Sequence, residues 1–363
     1  MTSLLESLSL YLSVALASLS RPTDIVFAGD AMQHAAQIEA AHTPAGEYDY
    51  SECFADIASY VSDADYAVVN LETPLGGKPY SGYPCFCSPD SYATALRDAG
   101  FDMFLTANNH TLDRRDRGLN RTIDVLDSLH VDHIGTYHND SCRQAALPMV
   151  RDINGYKVGF LNYTYGTNGI TPGREVVVDY IDTLKMSQDI DMTRAAGAEI
   201  LIAAVHWGDE YHLLPNSSQK KLGEYLLAKG VDIVMGGHPH VIQPMELRTD
   251  SVNQLDRRLL VYSLGNFISN MKTRDTRGGA MVKVTLKRTL DGTPYVDGAT
   301  YRLVFTVPPS GGHNYRLVDA SEPLDGSPWD YHRSEFLKSA TAIFDKHNIN
   351  VPVDTTSLKK AMK

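Results

Sequence analysis

A chain of 363 residues with 43% hydrophobic and 21% charged side chains is long enough to bury a sizeable core, as one large domain or two ordinary ones. A formal charge of −11, with no basic run and no repeat at solenoid spacing, excludes nucleic acid and an anionic membrane surface as main partners. The four cysteines, Cys53, Cys85, Cys87 and Cys142, are too few and too irregular for a disulfide framework, and Cys85-Phe-Cys87 lacks the two-residue spacing of a zinc knuckle or redox pair.

Leu4 to Leu19 is rich in Leu, Ser and Ala, and residues 1–20 contain no Lys or Arg. The segment lacks the positive start of a secretory signal and is too short and serine-rich for a spanning helix. It reads as an amphipathic helix, with a degenerate or trimmed export signal as the other reading. Asp24 to Ala28 is an apolar run typical of a buried strand, stopped by Gly29-Asp30. Helical stretches are expected over Met32 to Ala41 and Phe54 to Val61, the second leading into a strand at Tyr66 to Val69 that stops at Asn70-Leu-Glu72. Residues 74–90, with four prolines and three glycines, form a loop. A helix from Ser88-Pro89-Asp90 to Gly100 then precedes a strand at Phe101 to Leu105, which ends in Thr106-Ala-Asn-Asn-His110.

The second half repeats this pattern. A helix from Gly118 to Leu129 is followed by a strand at Gly155 to Leu161, and a helix over Val176 to Ala196 feeds the most apolar strand, Glu199 to Val205, which stops at His206. The amphipathic stretch Ser217 to Lys229 is closed by Gly230. Val231 to Met235 delivers Gly-Gly-His238-Pro-His240, and Leu259 to Tyr262 ends at Ser263-Leu-Gly-Asn266. From Ala280 to Leu286 and from Ala299 to Val307 the pattern alternates, as in antiparallel strands with one wet face. Residues 308–330 are loop-rich, and Ser334 to His347 is a final helix. Strands alternating with helices, then a hairpin-like tail, make an α/β protein with mixed sheet. The expected division is an N-terminal helical segment over residues 1–22, one domain over 23–307, and a loop-and-helix extension over 308–363 packed on it.

Residues just beyond the apolar strands share one chemistry: Asp30, Asn70 with Glu72, Asn109 with His110, His206, His238 with His240, and Asn266. Sites in layered α/β proteins form at the carboxyl ends of strands. Taken singly, an Asp after Gly is more often a turn residue, and a His beside Trp is more often a satisfied core histidine. Together, imidazole, carboxylate and amide oxygen on one rim suit a transition metal such as Zn, Mn or Fe.

Ala28-Gly-Asp-Ala-Met, Val69-Asn-Leu-Glu, Ala107-Asn-Asn-His-Thr-Leu-Asp113, His206-Trp-Gly-Asp-Glu-Tyr211, Gly237-His-Pro-His240 and Tyr262-Ser-Leu-Gly-Asn-Phe267 stand in that order along the chain. The set resembles the CapA family, bacterial poly-gamma-glutamate capsule-synthesis proteins of the calcineurin-like metallophosphoesterase superfamily, from about Ile25 to Leu286. The resemblance implies a four-layer sandwich of two mixed β-sheets flanked by helices, with one or two divalent ions at one edge. It implies Asn109, His206 and His238 as ligands of one ion, Asp30 and His240 of the other, and His110 as a catalytic group over the scissile bond rather than a ligand. This chain departs from the superfamily pattern at Met32, where a histidine is expected, and at Asn70-Leu71-Glu72, where Glu72 takes the place of a bridging aspartate. Thioether is a poor ligand for a hard ion, and His34 is a nearby substitute.

Asn70, Asn266 and Arg277 are expected to contact an anionic small-molecule or polymer substrate. What the resemblance implies is a metal-dependent hydrolase of capsule or envelope polymer biosynthesis, acting through metal-activated water on a phosphoester, alongside the capsule-synthesis machinery. The other reading is an accessory protein that binds an anionic polymer without catalysis. Envelope association rests on the resemblance alone, since the sequence carries no clear signal peptide or membrane span.

Overall fold

The structure is a computed structural model that describes residues 21–356. Of the N-terminal helical segment read over residues 1–22, residues 1–20 lie outside the described residues, and Arg21 and Pro22 are in no helix.

In chain order the main elements are β1 (Thr23–Ala31), α1 (Ala35–Ala41), α2 (Ala58–Ser62), β2 (Tyr66–Leu71), α3 (Asp90–Asp98), β3 (Met103–Leu105), α4 (Arg115–Ser128), β4 (Asp132–Ile134), β5 (Thr136–Tyr137), α5 (Asp140–Ala146), β6 (Met149–Ile153) and β7 (Tyr156–Thr164). There follow β8 (Val177–Val178), α6 (Thr183–Ala195), β9 (Ile200–His206), α7 (Ser217–Ala228), β10 (Ile233–Gly237), β11 (Met245–Thr249), β12 (Arg257–Val261), β13 (Asn266–Ile268), β14 (Gly278–Arg288), β15 (Pro294–Val307), β16 (Arg316–Asp319) and α8 (Asp330–His347). One sheet has the order β16-β15-β14-β1-β2-β3-β4, with β13 beside β1, and the other β11-β12-β10-β9-β7-β6. Each is mixed. In the first, β1 to β4 run parallel and β14 to β16 antiparallel; in the second, β7, β9, β10 and β12 run parallel between antiparallel edges β6 and β11.

The period-two rule explains the layers. Along β1, Ile25 and Phe27 point into the inter-sheet core with Ile202, Ile233 and Met235, while Val26 and Ala28 point to the other face with Phe54, Tyr92 and Leu96. On the far side of the second sheet, Leu201, Ala203 and Val234 meet Met186 and Ile190 of α6 and Leu226 and Leu227 of α7. Strands covered on both faces read as continuous apolar runs rather than alternating ones. The result is helix, sheet, sheet, helix: the four-layer architecture. The C-terminal residues continue it, since β16 extends the first sheet and α8 packs Phe336 and Phe344 on Phe305 and Tyr301.

Several boundaries differ from the sequence reading for local reasons. The helix expected over Val176 to Ala196 begins only at Thr183, because Asp182 caps it, its side chain accepting from the amides of Leu184 and Lys185. Val177–Val178 pairs instead with β5. The helix expected over Phe54 to Val61 is reduced to the five-residue α2, with a short 3-10 turn over Ser51–Cys53 just before the range. The Met32 to Ala41 helix starts late, because β1 runs through Ala31 and His34 occupies the cap position. No helix among the described residues is long and apolar enough to cross a membrane.

Candidate metal centre

The register of the parallel strands brings the polar strand ends together. Asp30 of β1 stands beside Asn70 of β2 on one side and Asn266 of β13 on the other. In the second sheet Gly237 stands beside His206, and Thr164 flanks His206 from β7. Two glycines allow the close approach. A Cβ on Gly29 would lie 2.0 Å from the Gly265 carbonyl oxygen, and one on Gly236 2.0 Å from that of Tyr262. Beyond β10 the backbone turns hard: His238 and His240 both have positive φ, 99° and 57°. Non-glycine residues adopt this region rarely, and such strain collects where side chains must be aimed.

Asp30, Glu72, His206, His238 and His240 are each at most 3% exposed. Asn70 Nδ2 donates to Asp30 Oδ1 at 2.8 Å and to Glu72 Oε2 at 3.3 Å. Glu72 Oε1 lies 3.6 Å from His206 Nε2 and 3.7 Å from His240 Nε2. His240 Nδ1 donates to Asn266 Oδ1 at 3.0 Å, which leaves its Nε2 facing the cluster. His206 Nε2 donates to Asn109 Oδ1 at 2.8 Å. Two triads have ligand atoms within 4.8 Å of one another, Asp30-Glu72-His206 and Glu72-His238-His240. Glu72 is common to both. The contacts of the grouping that the resemblance implies are present as well: His240 Nδ1 lies 3.4 Å from Asp30 Oδ2, and the His206 ring, on Asn109 Oδ1, is 4.9 Å from the His238 ring. The strand register brings the two sheets' residues together, with Gly237 against both Asp30 Oδ1 and His206 Nδ1.

Burial and mutual charge set the protonation. Burial alone raises the Asp30 carboxyl, but contact with His240, the nearby His206 and the Asn70 hydrogen bond outweigh it and hold it below the usual carboxylate range. Burial, reinforced by the charge of Asp30, pushes Glu72 well up. Burial and the neighbouring His240 lower His238 to about 3, and burial with His238 keeps His206 well below the usual imidazole value. Neutral imidazole is the form that ligates metal. Two buried atoms, Glu72 Oε1 and His238 Nδ1, have no hydrogen-bond partner. Buried polar atoms seldom stay unpaired, and a divalent cation would satisfy both. The residues fit such an ion.

His110 lies at the rim. Its Nδ1 donates to Asp113 Oδ2 at 2.7 Å, Asp113 also accepts from the Phe86 amide at 2.7 Å, and the imidazole meets the Phe86 ring edge-on at 4.5 Å. Asn70, Asn109 and Asn266 all touch cluster residues. Arg277 is not brought to the cluster: its Nε donates to the Lys272 carbonyl and its guanidinium stacks over Trp329 at 5.5 Å, a cation–π contact that turns it away. His34 is a helix cap whose Nδ1 accepts from the Asn270 amide; burial lowers it to about 4. Sequence reasoning passed over Asn108, whose amide ties Asn70 to the Leu71 carbonyl, and over Asp113, Tyr165 and Asn168. Asp113 was signalled three residues after His110, and Tyr165 by its place past the end of β7.

The profile of the family described as bacterial capsule synthesis protein PGA_cap matches residues 24–271. The chain belongs to this family. Among curated PGA_cap relatives, the capsule biosynthesis protein CapA of Bacillus anthracis is 24% identical over 264 residues, 69% of this chain and 61% of that protein. The PGA biosynthesis protein CapA of Bacillus subtilis (strain 168) is 28% identical over 204 residues, 53% of this chain and 49% of that one. The match thus spans about half to three fifths of those relatives. Among solved structures, Thermus thermophilus sulfate thiohydrolase SoxB aligns with TM-score 0.40 and 14% identity, covering 81% of this chain and 47% of SoxB. The 5'-nucleotidase of Candida albicans SC5314 aligns with TM-score 0.39 and 10% identity, covering 75% and 53%.

Proposed function

We propose that this PGA_cap protein is a metal-dependent hydrolase of capsule or envelope polymer biosynthesis, acting on a phosphoester. The observation that carries the reading is Glu72, a buried carboxylate shared by two ligand triads with its Oε1 left unpaired. Asp30, Glu72, His206, His238 and His240, with Asn109, would hold one or two divalent ions, Mn, Zn or Fe by donor type. Divalent ions there would supply Lewis acidity, neutralising charge on a phosphoryl oxygen and activating water.

The chain's own residues do the rest. Asn70 holds Asp30 and Glu72 in place, and Asn266 fixes the tautomer of His240. Asp113 accepts the hydrogen bond from His110 Nδ1–H, so Nε2 is the nitrogen that faces the departing oxygen, and as imidazolium the ring would hand it the Nε2 proton and return to the neutral form. Phe86 packs edge-on against the ring and limits its rotation.

Elemental analysis of purified, metal-reconstituted protein should give one to two equivalents, and a panel of phosphoesters and gamma-glutamyl peptides should show hydrolysis of the former. Protein that takes up no Mn, Zn or Fe at neutral pH sinks the reading. A second reading is favoured by Met32, which stands buried where the superfamily has a histidine ligand: the centre then serves as a binding pocket for an anionic polymer in capsule assembly. Polymer assembly in cells that survives both His206→Ala and His110→Ala selects this second reading.

A further inference from the structure

Three exposed tyrosines from three separate loops surround the mouth of the metal centre. Tyr165, 47% exposed, lies 4.5 Å from the His238 ring and nearly parallel to His206, at 11° and 6.4 Å. Tyr211, 55% exposed, lies 6.3 Å from the His240 ring. Tyr83, 75% exposed, is 6.3 Å from Phe86, the ring that abuts His110. Clustered exposed rings, unlike singly scattered ones, mark a place where a ligand can be covered. Tyr211 is moreover held at φ 67°, its amide donating to the Pro239 carbonyl at 2.8 Å. A bulky residue in that region is strained, and strain is retained where it aims a side chain.

The charge around these rings narrows the ligand. Asp209 and Glu210, both exposed, stand immediately before Tyr211 on the same loop. That edge of the mouth carries carboxylates, while Arg277 is stacked on Trp329. A polyanionic chain lying across such a mouth meets like charge. Among the described residues none of the three tyrosines stacks on another. A neutral group with C–H faces for the rings and hydroxyl hydrogens for Glu210 and Asp209 satisfies both features.

Building on the phosphoester reading, we propose that Tyr83, Tyr165 and Tyr211 form a collar that selects a sugar or polyol phosphoester, the sugar resting on the rings while its phosphate reaches the metal centre. The test uses the full chain loaded with Mn²⁺, comparing kcat/KM for a hexose 1-phosphate, adenosine monophosphate and methyl phosphate. The hexose phosphate should exceed methyl phosphate by about tenfold or more, as expected of ring contacts worth on the order of 1 kcal/mol each. That ratio should fall about fivefold in Tyr211→Ala and Tyr165→Ala and return in Tyr211→Phe. Calorimetric binding of the hexose phosphate to Tyr83→Ala, whose exposed ring leaves the fold intact, should weaken in step. Methyl phosphate hydrolysed as well as the hexose phosphate, preference for adenosine monophosphate, or tighter binding of a gamma-glutamyl oligomer overturns the collar while leaving the hydrolase standing. Failure of every phosphoester removes both.

Discussion

Glu72 gives the sharpest test of the centre because both triads depend on it. Glu72→Gln preserves volume and the hydrogen bond from Asn70, but replaces the shared anionic ligand with an amide. An ion present at about a hundred times its dissociation constant stabilises the native state by roughly 2.7 kcal/mol, and two independent ions by about twice that. For a chain of 363 residues that is about 3–7 °C in Tm. Scanning fluorimetry of wild-type protein with and without Mn²⁺ should show this shift, and Glu72→Gln should lose most of it. Metal-free protein should behave in the opposite sense. There the carboxyl is fully buried, pushed up by burial and by Asp30, and has one oxygen unpaired, so a neutral amide should melt no lower than wild type. The reasoning is refuted by a variant that keeps two equivalents of metal and the full shift. A variant that melts many degrees lower without metal would instead assign Glu72 a purely structural role.

Three further outcomes follow from the geometry. His110→Ala should lower kcat by about a hundredfold or more while metal content stays at the wild-type value, and Asp113→Asn should move the same way through loss of the Nδ1 partner; loss of metal in either would place His110 among the ligands. In Gly237→Ala the new Cβ would stand 2.8 Å from Asp30 Oδ1, and metal affinity measured by competition with a chelator should drop about tenfold. Asp354 is bonded to Lys283, the Thr356 amide and Tyr60, which together outweigh burial and hold its carboxyl below the usual range. Its contribution is therefore present above the unfolded value near pH 4 and is lost as pH falls toward the folded value. Asp354→Asn should cost about 1–3 kcal/mol by urea unfolding at neutral pH, with the gap narrowing below about pH 4; an unchanging gap would refute the assignment.

The strands with long apolar runs were legible, and with them the rim, because burial on both faces writes an uninterrupted signal and the polar residue that ends it stands out. The stretch from Leu129 to Gly155 was not. It holds β4, β5, α5 and β6, whose strands are two to five residues long, and Asp132-His133-Ile134 has a half-polar pattern because β4 is an edge strand. β11 and β16 are edge strands too, of five and four residues. At the centre, the candidate ligands were readable from residue type, but how they would share ions depends on the register between strands, which no local pattern carries. Arg277 was read as a forked donor for substrate; whether a guanidinium meets a phosphate or an indole depends on Trp329, distant in sequence.

The order of the ligands along the chain has a consequence for how the protein is made. Asp30 and Glu72 come early and bring no imidazole, while His206, His238 and His240 come late and bring no carboxylate. Each triad needs both. A nascent chain therefore holds no complete triad until residue 206 has emerged, and not the second until residue 240, while β14, which flanks β1, comes later still. Metal cannot template early folding here; it can only lock a sandwich already assembled across both sheets. Added Mn²⁺ should leave the refolding rate unchanged and slow unfolding, the signature of contacts absent from the transition state. Metal supply would then govern how long each finished molecule lasts, leaving the yield of folded chains untouched.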